Sequence, residues 1–377
     1  MNLELRFANR DEYPRIARFL NDHWAEQHIY TRSEALFRWT FARRTQWPQD
    51  GFSVAVAVCD GELAGILGGI PFAFNHFGNR CQGVWLANYV VREEQRKGPA
   101  ALKLLSMLRG APFGATLAFG INPATANIYR VLKGKVFPMV PRHVAVLPEA
   151  VGRMTALLRI AHPDWSAETA GCLAERYSFG DNLPSGPDAL DAIPADWDEA
   201  NWAEIAPTTI GATRDRDYLD WRYVQHPQFH YRFIALQEGP RTGLAVWRLE
   251  TIYRAISDGT REPLDCIARI LEFLPVSNEN ATALLGCLVS DIRKEGAIGA
   301  DYYGYHGKTR AMLNTVGFRE ACDSDVERIP SRFQPLDGKG GGILSAGFLP
   351  AGVPPCTLDS DCSWYWTKSD SDQDRPN

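Results

Sequence analysis

The sequence lacks the cysteine and histidine spacings that build zinc or redox centres. Its eight cysteines are scattered, with no Cys-x-x-Cys and no histidine at zinc spacing, so no metal is expected. Cys59 and Cys81 fall inside apolar stretches and read as small core residues. No apolar run approaches the length that spans a membrane, and MNLELRFANRDEYPRIARFL lacks the basic region and apolar core of a leader. The expectation is a cytoplasmic protein in a reducing compartment. A strong charge of one sign is also missing: the net charge is -5. That argues against a nucleic-acid binder, which needs a basic footprint. With 377 residues, 45% of them hydrophobic, there is material for two separate cores.

The most informative stretch that is present is Trp85 to Leu105, WLANYVVREEQRKGPAALKLL. A short apolar strand precedes Val91, and good helix formers follow Gly98, with Pro99 where a first helical turn tolerates it. The join Gln95-Arg96-Lys97-Gly98-Pro99-Ala100 therefore lies at a helix N-terminus. Small residues there expose backbone N–H groups, and the helix dipole together with Arg96 and Lys97 favours an anion such as a diphosphate. The competing reading is an ordinary strand-to-helix turn with solvated basic residues.

The flanks supply context. Phe52–Asp60 and Glu62–Phe74 read as a hairpin across Asp60-Gly61, residues suited to left-handed turn positions. A turn at Phe77-Gly78-Asn79 leads into the strand Gln82–Val91. Downstream, Ala115–Ile121 is a further apolar strand, and Asn122 with Pro123 caps and opens the next helix.

The hexapeptide resembles the Gln/Arg-x-x-Gly-x-Gly/Ala acyl-CoA loop of the GNAT superfamily of N-acyltransferases, matched at Gln95, Gly98 and Ala100, and the order of strands and helices over residues 1–147 is similar to that family's. The resemblance implies an α/β fold with a mixed sheet and an acyl-CoA cosubstrate, acetyl-CoA or another. On that basis Gln95, Arg96, Lys97, Gly98, Pro99 and Ala100 would hold the diphosphate. Backbone amides near Tyr89, Val90 and Val91 would meet the thioester. Tyr129 would protonate the leaving sulfur, Asn122 would orient the pantetheine or an ordered water, and Asn127 falls where the family places a cofactor contact. Many relatives carry a Glu base on this strand, whereas Asn88 stands here, where a water relay through it is one candidate for the base; Glu93 and Glu94 read as solvated.

An internal echo extends the pattern. RSEALFRWTF (Arg32–Phe41) matches RDRDYLDWRY (Arg214–Tyr223) at a constant offset of 182, pairing Trp39 with Trp221, and IYRVLKGKVF (Ile128–Phe137) falls on TRAMLNTVGF (Thr309–Phe318) at 181. A duplication of the whole unit follows. The expected division is a first domain at 1–147, a helix and linker at 148–194, a second domain at 195–330 and a loop-rich tail at 331–377. Helices are expected over Ala145–Ile160 and Ala195–Pro207, and Asn278 is expected to cap a helix to Gly296. That helix has no Gly-rich approach, and Arg310 aligns with Tyr129, so the second copy reads as degenerate for acyl transfer. Trp364, Tyr365 and Trp366 are too apolar for a frayed end and are expected to dock as an added strand. Asp370, Asp372 and Asp374 read as a solvated acidic terminus, with a cationic or metal-facing role as the alternative.

Amine acylation needs a base for the ammonium, N–H donors for the oxyanion and an acid for the thiolate. The base has no obvious occupant; Asp301 and His306 are candidates, as is Arg222 for substrate contact. The resemblance favours an N-acyltransferase acting on a small amine, with an amino sugar or nucleotide sugar suggested by the likeness of Arg214–Tyr223 and the acidic tail to tandem proteins of bacterial surface-polysaccharide pathways. The alternatives are a FemABX-like aminoacyl transferase and a non-catalytic acyl-CoA sensor. Oligomeric state is open.

Overall fold

The computed structural model describes residues 3–43, 45–47, 50–110, 112–179, 186–256, 260–321, 328–339 and 341–375. It is a mixed α/β fold built on two mixed sheets. The chain begins with β1 (Leu3–Phe7), α1 (Tyr13–His23), α2 (Ile29–Arg32) and α3 (Glu34–Phe41), then the meander β2 (Val54–Cys59), β3 (Glu62–His76) and β4 (Asn79–Val91). The tight turns between these strands are where expected, because Asp60 and Gly61, then Phe77 and Gly78, all have positive φ. Next come α4 (Ala100–Gly110), β5 (Ala115–Phe119), α5 (Pro123–Val131), β6 (Lys135–Val136), β7 (Arg142–Val146), α6 (Val151–Ala161) and α7 (Ala167–Arg176).

The rest of the chain repeats the plan: short α8 (Ala203–Ile205), β8 (Ile210–Ala212), α9 (Arg216–Leu219), then β9 (Arg232–Glu238), β10 (Arg241–Ala255), β11 (Arg261–Leu274), α10 (Asn278–Lys294), β12 (Gly299–Tyr303), α11 (Gly307–Thr315) and β13 (Arg319–Glu320). A small hairpin, β14 (Arg332–Phe333) and β15 (Leu336–Asp337), precedes β16 (Ser345–Phe348) and β17 (Trp364–Tyr365).

The first sheet runs β1-β2-β3-β4-β5-β16-β6, with β8 on the far end of β3 and β17 beside β8; the second runs β9-β10-β11-β12-β7-β13. Each sheet thus receives strands from the other half of the chain: the second takes β7, and the first takes β16 in its interior, with β8 and β17 at the far end of β3. β7 leaves the first half and lies between β12 and β13, while β16 comes from the C-terminal segment and lies between β5 and β6. Both are buried along their whole length. At Gly347 an added Cβ would stand 2.5 Å from Leu117 Cδ2 and 2.8 Å from the Thr116 carbonyl oxygen. The glycine-rich segment expected to be loop therefore supplies an interior strand, and its small residues are what admit it.

The 182-residue echo has a structural counterpart. Ser33 caps α3 through the Leu36 N–H and Asp215 caps α9 through the Tyr218 N–H. Trp39 and Trp221 stack at 4.7 Å, each indole N–H donating to the other's carbonyl oxygen at 3.1 and 3.4 Å. The second echo is out of register. α5 and α11 are nine residues each and start 184 apart, with Lys133 and Gly317 in the left-handed region after them. An offset of 181 slips the match by about one helical turn, which preserves an apolar stripe and so escapes notice in a sequence. The position matching Tyr129 is Leu313, not Arg310.

Other expectations also change. Ala145 and Val146 belong to β7, and the helix begins only at Val151. Ala195–Pro207 is a chain of short π, α and 3-10 turns rather than one helix. Ser277, not Asn278, caps α10. The tail docks, with β17 parallel to β8 and Trp366 packed edge-on against Trp85. Its carboxylates are buried rather than solvated: Asp370 is 0% and Asp374 1% exposed.

Candidate active site

Strands β4 and β5 are parallel and pair only from Gly83↔Ala115 to Leu86↔Ala118. β4 runs on to Val91 with β3 on its other side, so the backbone edge from Ala87 to Val91 has no strand partner on the β5 side among the described residues. A β-bulge opens this edge, with Ile66 opposite Val90 but Gly68 opposite Ala87. Asn88 sits in the bulge at φ 51, a conformation that asparagine tolerates better than most residues. Its Nδ2 is buried and has no hydrogen-bond acceptor among the described residues, an orphan donor of the kind native proteins seldom leave.

The unpaired edge ends at the turn singled out from the sequence. Glu93–Gln95 form one 3-10 turn, the Gly98 N–H donates to the Gln95 carbonyl oxygen at 3.0 Å, and the first intrahelical bond of α4 runs from Lys103 N–H to Pro99 O. The N–H groups of Ala100, Ala101 and Leu102 thus precede any intrahelical acceptor. Arg96, Lys97 and Pro99 are exposed, Gln95 and Gly98 half-buried, Ala100 buried. A Cβ at Gly98 would come 3.3 Å from the Gln95 carbonyl oxygen, tight but not prohibitive. The turn is neither buried nor plugged.

Tyr89 donates its hydroxyl to the Ala101 carbonyl oxygen, tying β4 to α4, and burial pushes its phenol up to about 12. Tyr129 lies close enough to Tyr89 to feel its charge; burial, with Tyr89 adding, raises its phenol well above the ordinary range. Its ring is only 2% exposed and lies 5.5 Å from the Phe348 ring, yet its hydroxyl makes no hydrogen bond among the described residues. Asn122 caps α5, its Oδ1 accepting from Thr125 N–H at 2.7 Å. Asn127 is exposed on α5 and accepts from Arg130.

A cavity of about 780 Å³ opens at the C-terminal end of β5 and reaches the second sheet. Gly120, Ile121 and Asn122 form one wall, Arg248, Glu250, Arg269 and Tyr303 another, and Lys368, Gln373 and Arg375 of the tail a third. Gln373 donates to the Phe119 carbonyl oxygen at 3.0 Å, and its carboxamide occupies the space that a side chain at Gly120 would need.

Behind that wall lies a buried ionic network. Arg214 binds Glu272 at 2.7 Å and Asp370 at 2.8 Å; Arg248 binds Asp374 at 2.6 Å and Glu250 at 2.9 Å; Arg269 bridges Glu250 and Asp301. Burial opposes the Asp374 carboxylate, but Arg248 and Arg222 outweigh it and hold its pKa well below the usual range.

The expected substrate contacts are placed otherwise. Asp301 is 1% exposed and spent on Arg142 and Arg269. Arg222 is 2% exposed and donates to the Ser369 and Asp374 carbonyl oxygens, holding the tail. The His306 ring bonds Thr309, burial lowers it to about 4 so that it is neutral near pH 7, and it is not among the residues that line the cavity. The lining residues Arg248, Glu250, Arg269, Lys368 and Gln373 were missed. Arg248 and Glu250 at alternate positions of β10, with Arg269 inside the apolar run of β11, were the available signal.

Among the described residues no helix is long and apolar enough to cross a membrane, and no cluster of His, Cys, Asp and Glu could hold a metal ion. No family model and no curated protein sequence matches the chain. Solved structures do. A GCN5-related N-acetyltransferase from Anabaena variabilis superposes with a TM-score of 0.56 at 11% identity over 91% of this chain and 72% of its own. One from Kribbella flavida gives 0.51 at 14% identity over 91% and 70%. In fold the chain resembles the GCN5-related N-acetyltransferases. A probable N-acyltransferase from Enterococcus faecalis gives 0.52 at 13% identity, covering 92% of this chain and 72% of its own. All three likenesses span both sheets, so the whole two-sheet arrangement and not only residues 1–147 has relatives of the same shape.

Proposed function

We propose that the protein is an acyl-CoA-dependent N-acyltransferase that transfers an acyl group, most simply acetyl, to the amine of a small polar acceptor, an amino sugar or nucleotide sugar fitting best. The observation that carries this reading is the unpaired β4 edge from Ala87 to Val91, which ends at the exposed turn before α4. Backbone donors on an open edge and at a free helix start suit an extended ligand with a diphosphate at one end. The polar lining of the cavity at the end of β5 suits an acceptor rich in hydroxyl groups.

In this reading Gln95, Gly98, Pro99 and Ala100 shape the diphosphate seat, and Arg96 and Lys97 add charge. The outward N–H groups of Tyr89 and Val91 and the Asn88 carboxamide face the thioester and the negative charge that develops on its oxygen, while the Val90 N–H points to β3. Tyr129 keeps its proton at neutral pH, so it can deliver it to the departing sulfur. The domain division proposed is residues 1–147 and 195–330, with β7 of the first lying in the second sheet and β16, from the tail at 331–377, lying in the first.

The test is calorimetric titration with acetyl-CoA, followed by a mass-shift assay against amino sugars, polyamines and peptides. We expect binding that Gly98→Glu weakens about 100-fold, a loss of about 2.7 kcal/mol, through charge repulsion at the diphosphate seat. Tyr129→Phe should keep binding and lower turnover; a sensor would be indifferent to it. Unchanged affinity in Gly98→Glu would refute the seat.

A further inference from the structure

We propose that Lys368, carried into the cavity by the docked tail, is the general base that takes the proton from the acceptor's ammonium group. The proposal rests on the N-acyltransferase reading and fills the role that Asn88 cannot perform, since a carboxamide is not a base.

The argument is geometric first. Lys368 lines the same cavity as Gly120, Ile121 and Asn122 at the end of β5. Its Nζ lies 5.0 Å from the centre of the Tyr303 ring and makes no hydrogen bond or ion pair among the described residues. The other titratable groups around it are committed. Glu250 on β10 is held by Arg248 and Arg269, Asp301 on β12 by Arg142 and Arg269, and Asp374 on the tail by Arg248 and Tyr231. Arg375 pairs with Asp372. Asp337, in the hairpin at the cavity wall, accepts from the Lys339 N–H. Arg332 of the same hairpin is a permanent cation.

The environment also sets the charge of Lys368. Burial and the Arg269 guanidinium lower its pKa to about 7, against the pull of Glu250, Asp301 and Asp374. The amine is therefore substantially neutral at pH 7.5 and free to accept a proton. The Nζ lone pair takes the ammonium proton, and the freed nitrogen forms the C–N bond to the thioester carbon as the C–S bond breaks. The electron pair leaves on sulfur, which takes the Tyr129 proton, while the second amine proton is lost to solvent and Tyr129 is reprotonated from it.

The experiment compares wild type with Lys368→Met and Lys368→Arg at saturating acetyl-CoA, from pH 6 to 9. We expect acetyl-CoA affinity within twofold of wild type in both variants and kcat/KM for the amine lowered about 100-fold at pH 7.5. The wild-type rise through about pH 7 should vanish, because only the neutral amine is a base. Arginine keeps the charge and cannot lose its proton, so a purely electrostatic role would be rescued by it. Independently of activity and of variant folding, ε-¹³C-lysine-labelled wild type should show one resonance titrating near pH 7. A midpoint near 10, or a variant within threefold of wild type, would overturn the proposal and leave the acyltransferase reading standing. Wild type that binds acetyl-CoA yet acylates no amine would remove both.

Discussion

The two halves of the chain build the same ladder and finish it differently. In the first, Val84 faces Thr116 across the parallel pair β4 and β5; in the second, the corresponding step of β11 and β12 sets Arg269 against Asp301. The first half leaves its strand edge open and its helix start free. The second closes its helix start with side chains: the Ser277 hydroxyl accepts from the Asn280 N–H at 3.0 Å and donates to the Glu238 carboxylate at 2.9 Å. A carboxylate there repels a phosphate, and the cap already satisfies the N–H that a phosphate would use. One half keeps its polar backbone available for a ligand, while the other spends its polar groups on holding the molecule together.

The sharpest way to break this contrast is to remove the cation at the centre of the second half's network. Arg214→Leu leaves Glu272 and Asp370 buried beside each other with hydrogen-bond donors but without the cation that pairs them, a loss of about 3–5 kcal/mol. Chemical denaturation should read that loss. It should shrink as pH falls and the Glu272 carboxylate, which burial raises, takes up a proton, since an uncharged carboxyl no longer repels its neighbour or demands solvation. Undiminished stability at pH 7 would mean that the network does not hold the tail.

The stacked tryptophans test whether the halves are equivalent where they touch. Trp39→Ala and Trp221→Ala should each cost about 3 kcal/mol, and the double variant should cost less than the sum, because either change alone already removes the shared stack along with its own indole N–H bond to the partner's backbone carbonyl. Full additivity in thermal and denaturant unfolding would show that the pair is not coupled.

Much of the first half was legible, because its signals are local. Asp60-Gly61 specifies a hairpin turn, Asn122-Pro123 specifies a helix start, and Gln95 to Ala100 specifies an exposed turn at one. The strand exchange was hidden because β7 and β16 satisfy their hydrogen bonds with residues far away in sequence. Ser345-Ala346-Gly347-Phe348 has no alternation to read, its small residues being dictated by Leu117 and Thr116 next to it. The same limit explains Asp370 and Asp374. An acidic end looks solvated until Arg214 and Arg248, more than a hundred residues earlier, are seen to meet it. Trp364 to Trp366 escaped this limit only because three aromatic residues together are costly to leave in water.

The smallest effect sharpens the contrast at the two helix starts themselves. Ser277→Ala removes the cap of α10 and should lower stability by about 1 kcal/mol, with no change in acetyl-CoA affinity, because the Glu238 carboxylate still bars an anion from that end. The double variant Ser277→Ala with Glu238→Gln removes both obstacles. A second, weak acetyl-CoA site appearing in calorimetry of that variant would mean that capping alone separates the halves. No second site is expected, since α10 lacks the glycine turn of the first half and the Tyr365 hydroxyl already occupies the β11 edge, accepting from the Phe273 N–H at 3.2 Å.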